Sequence, residues 1–292
     1  MNNTDLLPAE TRIGSIEIAV KNINRITEFY HSFLGLELLR WENKSVFLGT
    51  SKNNGELIIL SERKDLKAPS KNSPGLFHLA LLVPSRKELA KTFLHLNELA
   101  VRPDGFSNHG VSEAIYLRDQ EGKGIEIYSD TPETLWNCRN DEIQMVTEPL
   151  NLKKLLSTID NGTDQFEGLH SKSYIGHIHL KVSSIEKAKK FYNDTIGFNV
   201  TQSDYPGAIF MAAGKYHHHI GANMWMSKNS TPSDEETLGL QKYSVVLPDL
   251  LSLNKLSFRL LEAGTPLIEQ DSHSILIKDL DGIKVEFKTK QS

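Results

Sequence analysis

The chain of 292 residues is 39% hydrophobic and 24% charged, the balance of a water-soluble folded protein of about two ordinary domains. A net charge of −4 without any Lys/Arg block argues against a nucleic-acid groove, and no apolar run reaches the roughly 20 residues needed to span a bilayer. Cys138 is the single cysteine, which excludes an internal disulfide and suits a reducing compartment. The opening "MNNTDLLPAETR" lacks the charged start and apolar run of a secretory signal, so a cytoplasmic location is expected.

The first predicted elements lie in "IGSIEIAVKNINRITEFYHSFLGLEL", from Ile13. Alternating apolar and polar residues read as a half-buried strand. Ile23, Ile26, Phe29, Tyr30 and Phe33 then recur at helical spacing, and Gly35 closes the helix. "SVFLGTSKNNGELIIL" follows from Ser45, and "GLFHLALLVPS" from Gly75 opens a second strand–helix unit. Its helix is "SRKELAKTFLHLNEL" and its last strand "DQEGKGIEIY", from Asp119.

The same order then returns. "IGHIHLKVSSIEKAKKFYNDTIGFNV" from Ile175 matches the first stretch, pairing Ile13-Gly14 with Ile175-Gly176, Val20 with Val182, Phe29-Tyr30 with Phe191-Tyr192, and Gly35 with Gly197. "SSIE", Ser183 to Glu186, has the form of a capping box. "AIFMAAGKYHHHIGAN" from Ala208 aligns with the Ser45 stretch and sets Glu56 opposite His219. "GLQKYSVVLPD" from Gly239 sets His78 opposite Lys242, and "DLDGIKVEF" from Asp279 sets Glu126 opposite Glu286, around the helix "DLLSLNKLSFRLLEA".

Agreement at three separate places makes this an internal repeat. The expected organisation is four βαβββ modules, about 13–62, 75–129, 174–226 and 239–288, in an α+β fold. The domains are then an N-terminal half (1–130), a linker (131–173) with one helix in "TEPLNLKKLLSTID", and a C-terminal half (174–292). Three adjacent histidines, His217 to His219, would alternate faces if they lay in a strand.

This arrangement resembles the vicinal oxygen chelate superfamily of glyoxalase I, bleomycin and fosfomycin resistance proteins and extradiol dioxygenases. The resemblance implies two domains of paired modules, their mixed sheets curled around a metal, with ligands from the first and last strand of each module. The positions so implied are Ser15 and Glu56, His78 and Glu126, His177 and His219, and Lys242 and Glu286. Imidazole and carboxylate are good ligands for a divalent ion; an ammonium has no lone pair and serine is a poor donor. The useful ligands therefore collect in modules two and three. Modules one and four look like a metal-free copy in which Lys242 pairs with Glu56 or Glu286.

"HGVSEAIYLRDQEGKGIE", His109 to Glu126, is similar to the extradiol dioxygenase signature in its histidine, tyrosine, acid, glycine and glutamate, with Gln120 where proline is usual. That resemblance implies a facial triad of His78, His177 and Glu126 holding Fe(II), with Mn(II) as the other candidate, and three open positions for a vicinal diol and dioxygen. It places Tyr116 in hydrogen-bonding reach of a substrate oxygen and makes His109 a further active-site histidine. "FMAAGKYHHHIGAN" resembles the segment that carries the acid–base histidine, His218 or, with one residue of slack, His219. His219 also stands at the fourth ligand position of a glyoxalase.

The implied activity is extradiol cleavage of a catechol-type substrate by dioxygen, nearest to two-domain bacterial catechol 2,3-dioxygenase-like proteins. The implied partners are a small aromatic diol and O2, with no nucleic acid and no membrane; a homo-oligomer stays open. A glyoxalase-type isomerase or lyase with four ligands, or a protein that merely binds a planar compound, are the alternatives. His31, His95 and His170 are expected to be structural or exposed. Trp41, Trp136 and Trp225 are expected to pack, Trp225 with the option of flanking the cup.

Overall fold

The structure is a computed structural model describing residues 6–51, 55–160, 164–232 and 237–289. The chain divides into two compact units that interleave along the sequence: Met1–Ala19 with Asp65–Phe77 and His177–Ser292, and Val20–Lys64 with His78–Gly176. No helix among the described residues is long and apolar enough to cross a membrane.

In the first unit the strand Arg12–Val20 lies antiparallel to Gly239–Leu247. This joins the opening strand of module one to that of module four, although more than 200 residues separate them. Gly239–Leu247 continues in parallel to Lys284–Thr289, which hairpins with Ser274–Lys278. The same unit runs Tyr174–Lys181 in parallel to Ile220–Asn223 and on to Ala208–Ala212 and Asn199–Gln202. In the second unit Gly75–Leu82 runs parallel to Gly124–Asp130 from His78 onward, beside Ser112–Arg118 and Gly105–Asn108. Glu37–Glu42, Ser45–Gly49 and Ile58–Glu62 form an antiparallel meander.

The repeat holds at the level of register. His78 stands beside Gly124 and Ala80 beside Glu126; in the other unit Lys242 stands beside Lys284 and Ser244 beside Glu286. The recurrent Ile-Gly has a packing reason. A Cβ on Gly14 would collide with the Ser244 hydroxyl, and one on Gly176 with the Tyr128 hydroxyl.

The helices begin where polar caps allow. Ser85 accepts from the Glu88 amide ahead of Arg86–Glu98, Asp249 from Ser252 ahead of Leu250–Glu262, and Asn151 from Lys154 ahead of the linker helix Leu152–Leu156. Each satisfies an amide that the first helical turn leaves open. The capping box expected at Ser183 is shifted by one. Ser184 is the cap, accepting from Lys187 at 3.3 Å, and its hydroxyl donates to Glu186 at 2.5 Å. The Ser183 amide donates to Asp281 at 2.8 Å.

The repeated tyrosine and aspartate meet in both units. The Tyr192 hydroxyl donates to Asp279 at 2.8 Å and receives a bond from Tyr243 at 3.0 Å. Asp279 also accepts the Asp281 and Ile283 amides at 2.9 and 2.8 Å. Burial pushes the Asp279 carboxyl up to about 7, against the pull of those donors. In the second unit burial, reinforced by the neighbouring Asp119, raises the Tyr30 hydroxyl well above its ordinary value. Since Asp279 binds its proton more tightly folded than unfolded, stability should fall as pH rises from about 4 to about 7 and level off above. Urea unfolding across that range should show the slope, and Asp279→Asn should flatten it. Tyr192→Phe should cost about 1–3 kcal/mol, because it leaves Asp279 and the Tyr243 hydroxyl without a buried partner.

Candidate metal centre

The second unit contributes a histidine–carboxylate pair. His78 Nε2 lies 3.0 Å from Glu126 Oε2. Both are buried, at 6% and 2% exposure, because their strands are interior and parallel. A buried carboxylate is costly without a cation or donors around it. Tyr116 stands beside Glu126 in the antiparallel ladder, its ring 5.7 Å from that of His78. The Tyr116 hydroxyl meets His109 Nε2 at 2.7 Å, while His109 Nδ1 meets the Val146 carbonyl at 2.7 Å. A carbonyl only accepts, so Nδ1 carries hydrogen, and in the neutral ring Nε2 accepts from the tyrosine. Val146, in the linker, thus sets the tautomer of His109, a partner that nothing in the linker's composition signalled. Just beyond Tyr116, Asp119 accepts the Glu121 and Lys123 amides at 2.8 and 2.9 Å, shaping the turn that leads into Glu126.

The first unit contributes His177, 1% exposed on Tyr174–Lys181, with the histidine run close by. The run does not alternate across a strand. His217, His218 and His219 lie in irregular backbone ahead of Ile220–Asn223, and all three are buried. Tertiary packing sets their directions. The His218 ring lies 4.1 Å from that of His177 and 4.9 Å from Phe210. His217 and His218 share one hydrogen between their Nδ1 atoms at 2.8 Å. His219 turns toward Tyr216 and Phe198, its Nδ1 accepting the Ala213 amide at 3.2 Å. Burial, with His217 and then His177 adding to it, brings the His219 pKa down to about 3, so this ring is neutral.

His78 and Glu126 in the one unit and His177 in the other are side chains that could each give a ligand atom to a metal ion. Two imidazoles and one carboxylate are a donor set that a divalent metal takes. His219 is not in this group.

The equivalent positions of modules one and four are tied up otherwise. Lys242 Nζ lies 2.9 Å from Glu286 Oε1, the register counterpart of the His78–Glu126 pair. Burial opposes both charges, yet the Lys242 ammonium is held above its ordinary pKa and the Glu286 carboxyl below. Ser15 bonds to Ser244, and Glu56 bonds to Arg40. Of the two partners expected for Lys242, Glu286 is the one it takes. The ion content should therefore be one per chain, measured by atomic emission, and Glu286→Gln should leave it unchanged.

A sequence profile of the Glyoxalase/Bleomycin resistance protein/Dioxygenase superfamily matches residues 12–127 and 174–287. The chain belongs to this superfamily. It is 36% identical over 274 residues to the Catechol-2,3-dioxygenase of Bacillus subtilis (strain 168), covering 92% of this chain and 94% of that protein. Among solved structures, a candidate dioxygenase from Bacillus subtilis subsp. subtilis str. 168 superposes with a TM-score of 0.67 at 13% identity, covering 96% of this chain and 86% of that one. Glyoxalase I from Zea mays gives 0.60 at 15% identity, over 96% and 92%. At these identities the two structures speak for the fold alone, an α+β arrangement of repeated superfamily modules with curled mixed sheets.

Sequence reasoning passed over one set of residues here. His179, two positions after His177 on the same strand face, is ringed by Phe77, Phe210 and Trp225 at centroid distances of 5.3, 5.7 and 5.7 Å. The alternation in "GHIHLKV" was the available signal, since period two aims both histidines the same way.

Proposed function

We propose that the chain is an extradiol dioxygenase that cleaves a catechol-type ring beside its hydroxyls, using O2 and Fe(II), with Mn(II) as the alternative ion, held by His78, Glu126 and His177. The observation that carries this reading is the 36% identity to Catechol-2,3-dioxygenase over 94% of that protein's length. When bound, the ion supplies adjacent positions for the two vicinal oxygens and for O2, and the redox partner for ring cleavage.

The chain's own residues supply the rest. Two neutral imidazoles and one carboxylate give the ion a low net charge, and a buried setting strengthens each contact. Tyr116 presents a hydroxyl fixed by His109, suited to hydrogen-bonding a bound phenolic oxygen. His218, beside His177 and bonded to His217, is the proposed acid–base, taking a proton from the diol and returning one to the reacting oxygen. His219, with Nδ1 on a backbone amide and its ring against Tyr216, is proposed as support for that wall. The reading also implies a small aromatic diol and O2 as partners and a place in aromatic-compound degradation.

The test is reconstitution with Fe(II) under anaerobic conditions, then catechol in air. Stoichiometric O2 uptake and a yellow ring-fission product are expected. Intact catechol with no O2 consumed would sink the reading.

A further inference from the structure

The repeat sets two long helices in equivalent places, and they differ in what covers them. Shifting Gly75 onto Gly239 lays Arg86–Glu98 of module two on Leu250–Glu262 of module four. Lys87 then stands opposite Leu251, Leu94 opposite Phe258, and Asn97 opposite Leu261. Arg86–Glu98 is covered by the linker. The helix Leu152–Leu156 packs against it, Lys87 Nζ meets Asp164 at 2.7 Å, and the His95 ring stacks on Phe166 at 4.0 Å. In this setting Ala90 is buried and Leu94 half-buried.

Leu250–Glu262 is left open to water, and yet it is the more apolar of the two. Leu250, Leu251, Phe258 and Leu261 are 44, 63, 62 and 62% exposed. At about 100° per residue they form one stripe around Asn254, on the side where the other helix carries Ala90 and Leu94. Water-facing helix positions ordinarily hold polar or charged residues, as Lys87 and Asn97 do in module two. The four side chains expose on the order of 400 Å² together, a patch of the size that marks an interaction site. The cover on Arg86–Glu98 draws on Leu152–Leu156, Asp164 and Phe166. No run of this sequence outside the described residues is longer than five, too short to supply a second such cover.

We propose that the stripe of Leu250, Leu251, Phe258 and Leu261 docks a second copy of this chain, the helix Leu250–Glu262 of each copy lying antiparallel to that of the other across a twofold axis. Area and charge both select this occupant. A standard interface buries about 800 Å² per partner, roughly 55–65% of it apolar, so a stripe of this size supplies most of the apolar share on each side. Pairing it with itself is isologous, and one exposed face then serves both copies. Lys255 and Glu262 are exposed and line one edge of the stripe, about two helical turns apart. Antiparallel pairing brings the lysine of each copy to the glutamate of the other, whereas parallel pairing would oppose like charges.

Sedimentation velocity of the full chain over a concentration series is the test, with circular dichroism to confirm folding. The wild type should sediment at twice the chain mass. Phe258→Asp should shift it to monomer, and so should Leu251→Lys, which sets in module four the residue type that module two carries. Both positions are more than half exposed, so the fold should tolerate either change. Glu262→Lys should weaken the dimer by roughly tenfold through like-charge opposition, and Lys255→Glu added to it should restore the wild-type affinity. A wild type that stays monomeric throughout the series would overturn the docking and leave the stripe to a different partner. A dimer unmoved by both Phe258→Asp and Leu251→Lys would lie at another surface and overturn it as well. Weakening by Glu262→Lys without rescue in the double variant would overturn the antiparallel pairing.

Discussion

His177→Ala and His78→Ala should each reduce the metal content from about one ion per chain to nearly none. Changes to groups that merely support a ligand cost roughly 10–100-fold in metal affinity; removing one of three ligands should weaken it by more than 100-fold. His78→Ala has a second consequence. It leaves Glu126, 2% exposed, without the imidazole 3.0 Å away, and breaking a buried pair this way costs roughly 3–5 kcal/mol when both partners are charged. The loss should be smaller here in so far as the imidazole is neutral. Glu126→Gln, which keeps the shape, separates the two effects: metal should be lost while the apo protein melts close to the wild type. Metal content after dialysis, with circular dichroism to confirm folding, is the measurement. A His78→Ala protein that folds and keeps its full complement of metal would show that the ion lies elsewhere. A His177 site surviving in that variant would favour assembly of ligands from modules three and four.

The next largest effect is expected at His218. In His218→Gln, iron and diol binding should persist, whereas turnover should fall about 100- to 10,000-fold, the contribution of a positioned acid–base group. Stopped-flow absorbance under anaerobic conditions reads diol binding, and oxygen uptake reads turnover. His219→Gln should behave differently. Its Nδ1 accepts the Ala213 amide and its ring packs on Tyr216, so the cost should fall first on stability and only modestly on rate. Full activity in His218→Gln would remove the proposed proton carrier. Loss of metal in His219→Gln would make that ring a fourth ligand and turn the assignment toward a metal-dependent isomerase or lyase.

Much of the candidate site could be proposed before any fold was known, and the reason lies in the repeat together with the resemblance to the superfamily. Because Ile-Gly, Phe-Tyr and the Asp turn recur, the ladder positions of His78, Glu126 and His177 follow from those of Lys242, Glu286 and Ser15. A lone histidine could not have been placed in this way. Chemistry then does the sorting, since imidazoles and a carboxylate occupy one set of positions and an ammonium and a hydroxyl the other. The Tyr116–His109 contact was foreseen as neighbourhood, but the carbonyl that orients His109 comes from Val146, 37 residues away.

By itself the sequence determined the elements and their repetition, because these depend on local periodicity; the candidate ligand positions came from the resemblance to the superfamily. Only the tertiary structure decided what depends on long-range contact. Module one gives its first strand to module four because Arg12–Val20 finds its ladder partner in Gly239–Leu247, a choice of strand edge that no local pattern encodes. Ser184 rather than Ser183 caps its helix, while the Ser183 amide is taken by Asp281, nearly a hundred residues on. The three histidines of "KYHHHIGAN" point as they do because their backbone is irregular, so period two never applied. His217, Phe210, Tyr216 and the Ala213 amide each claim a ring instead. Burial of polar rings requires partners, and those partners come from wherever the fold brings them.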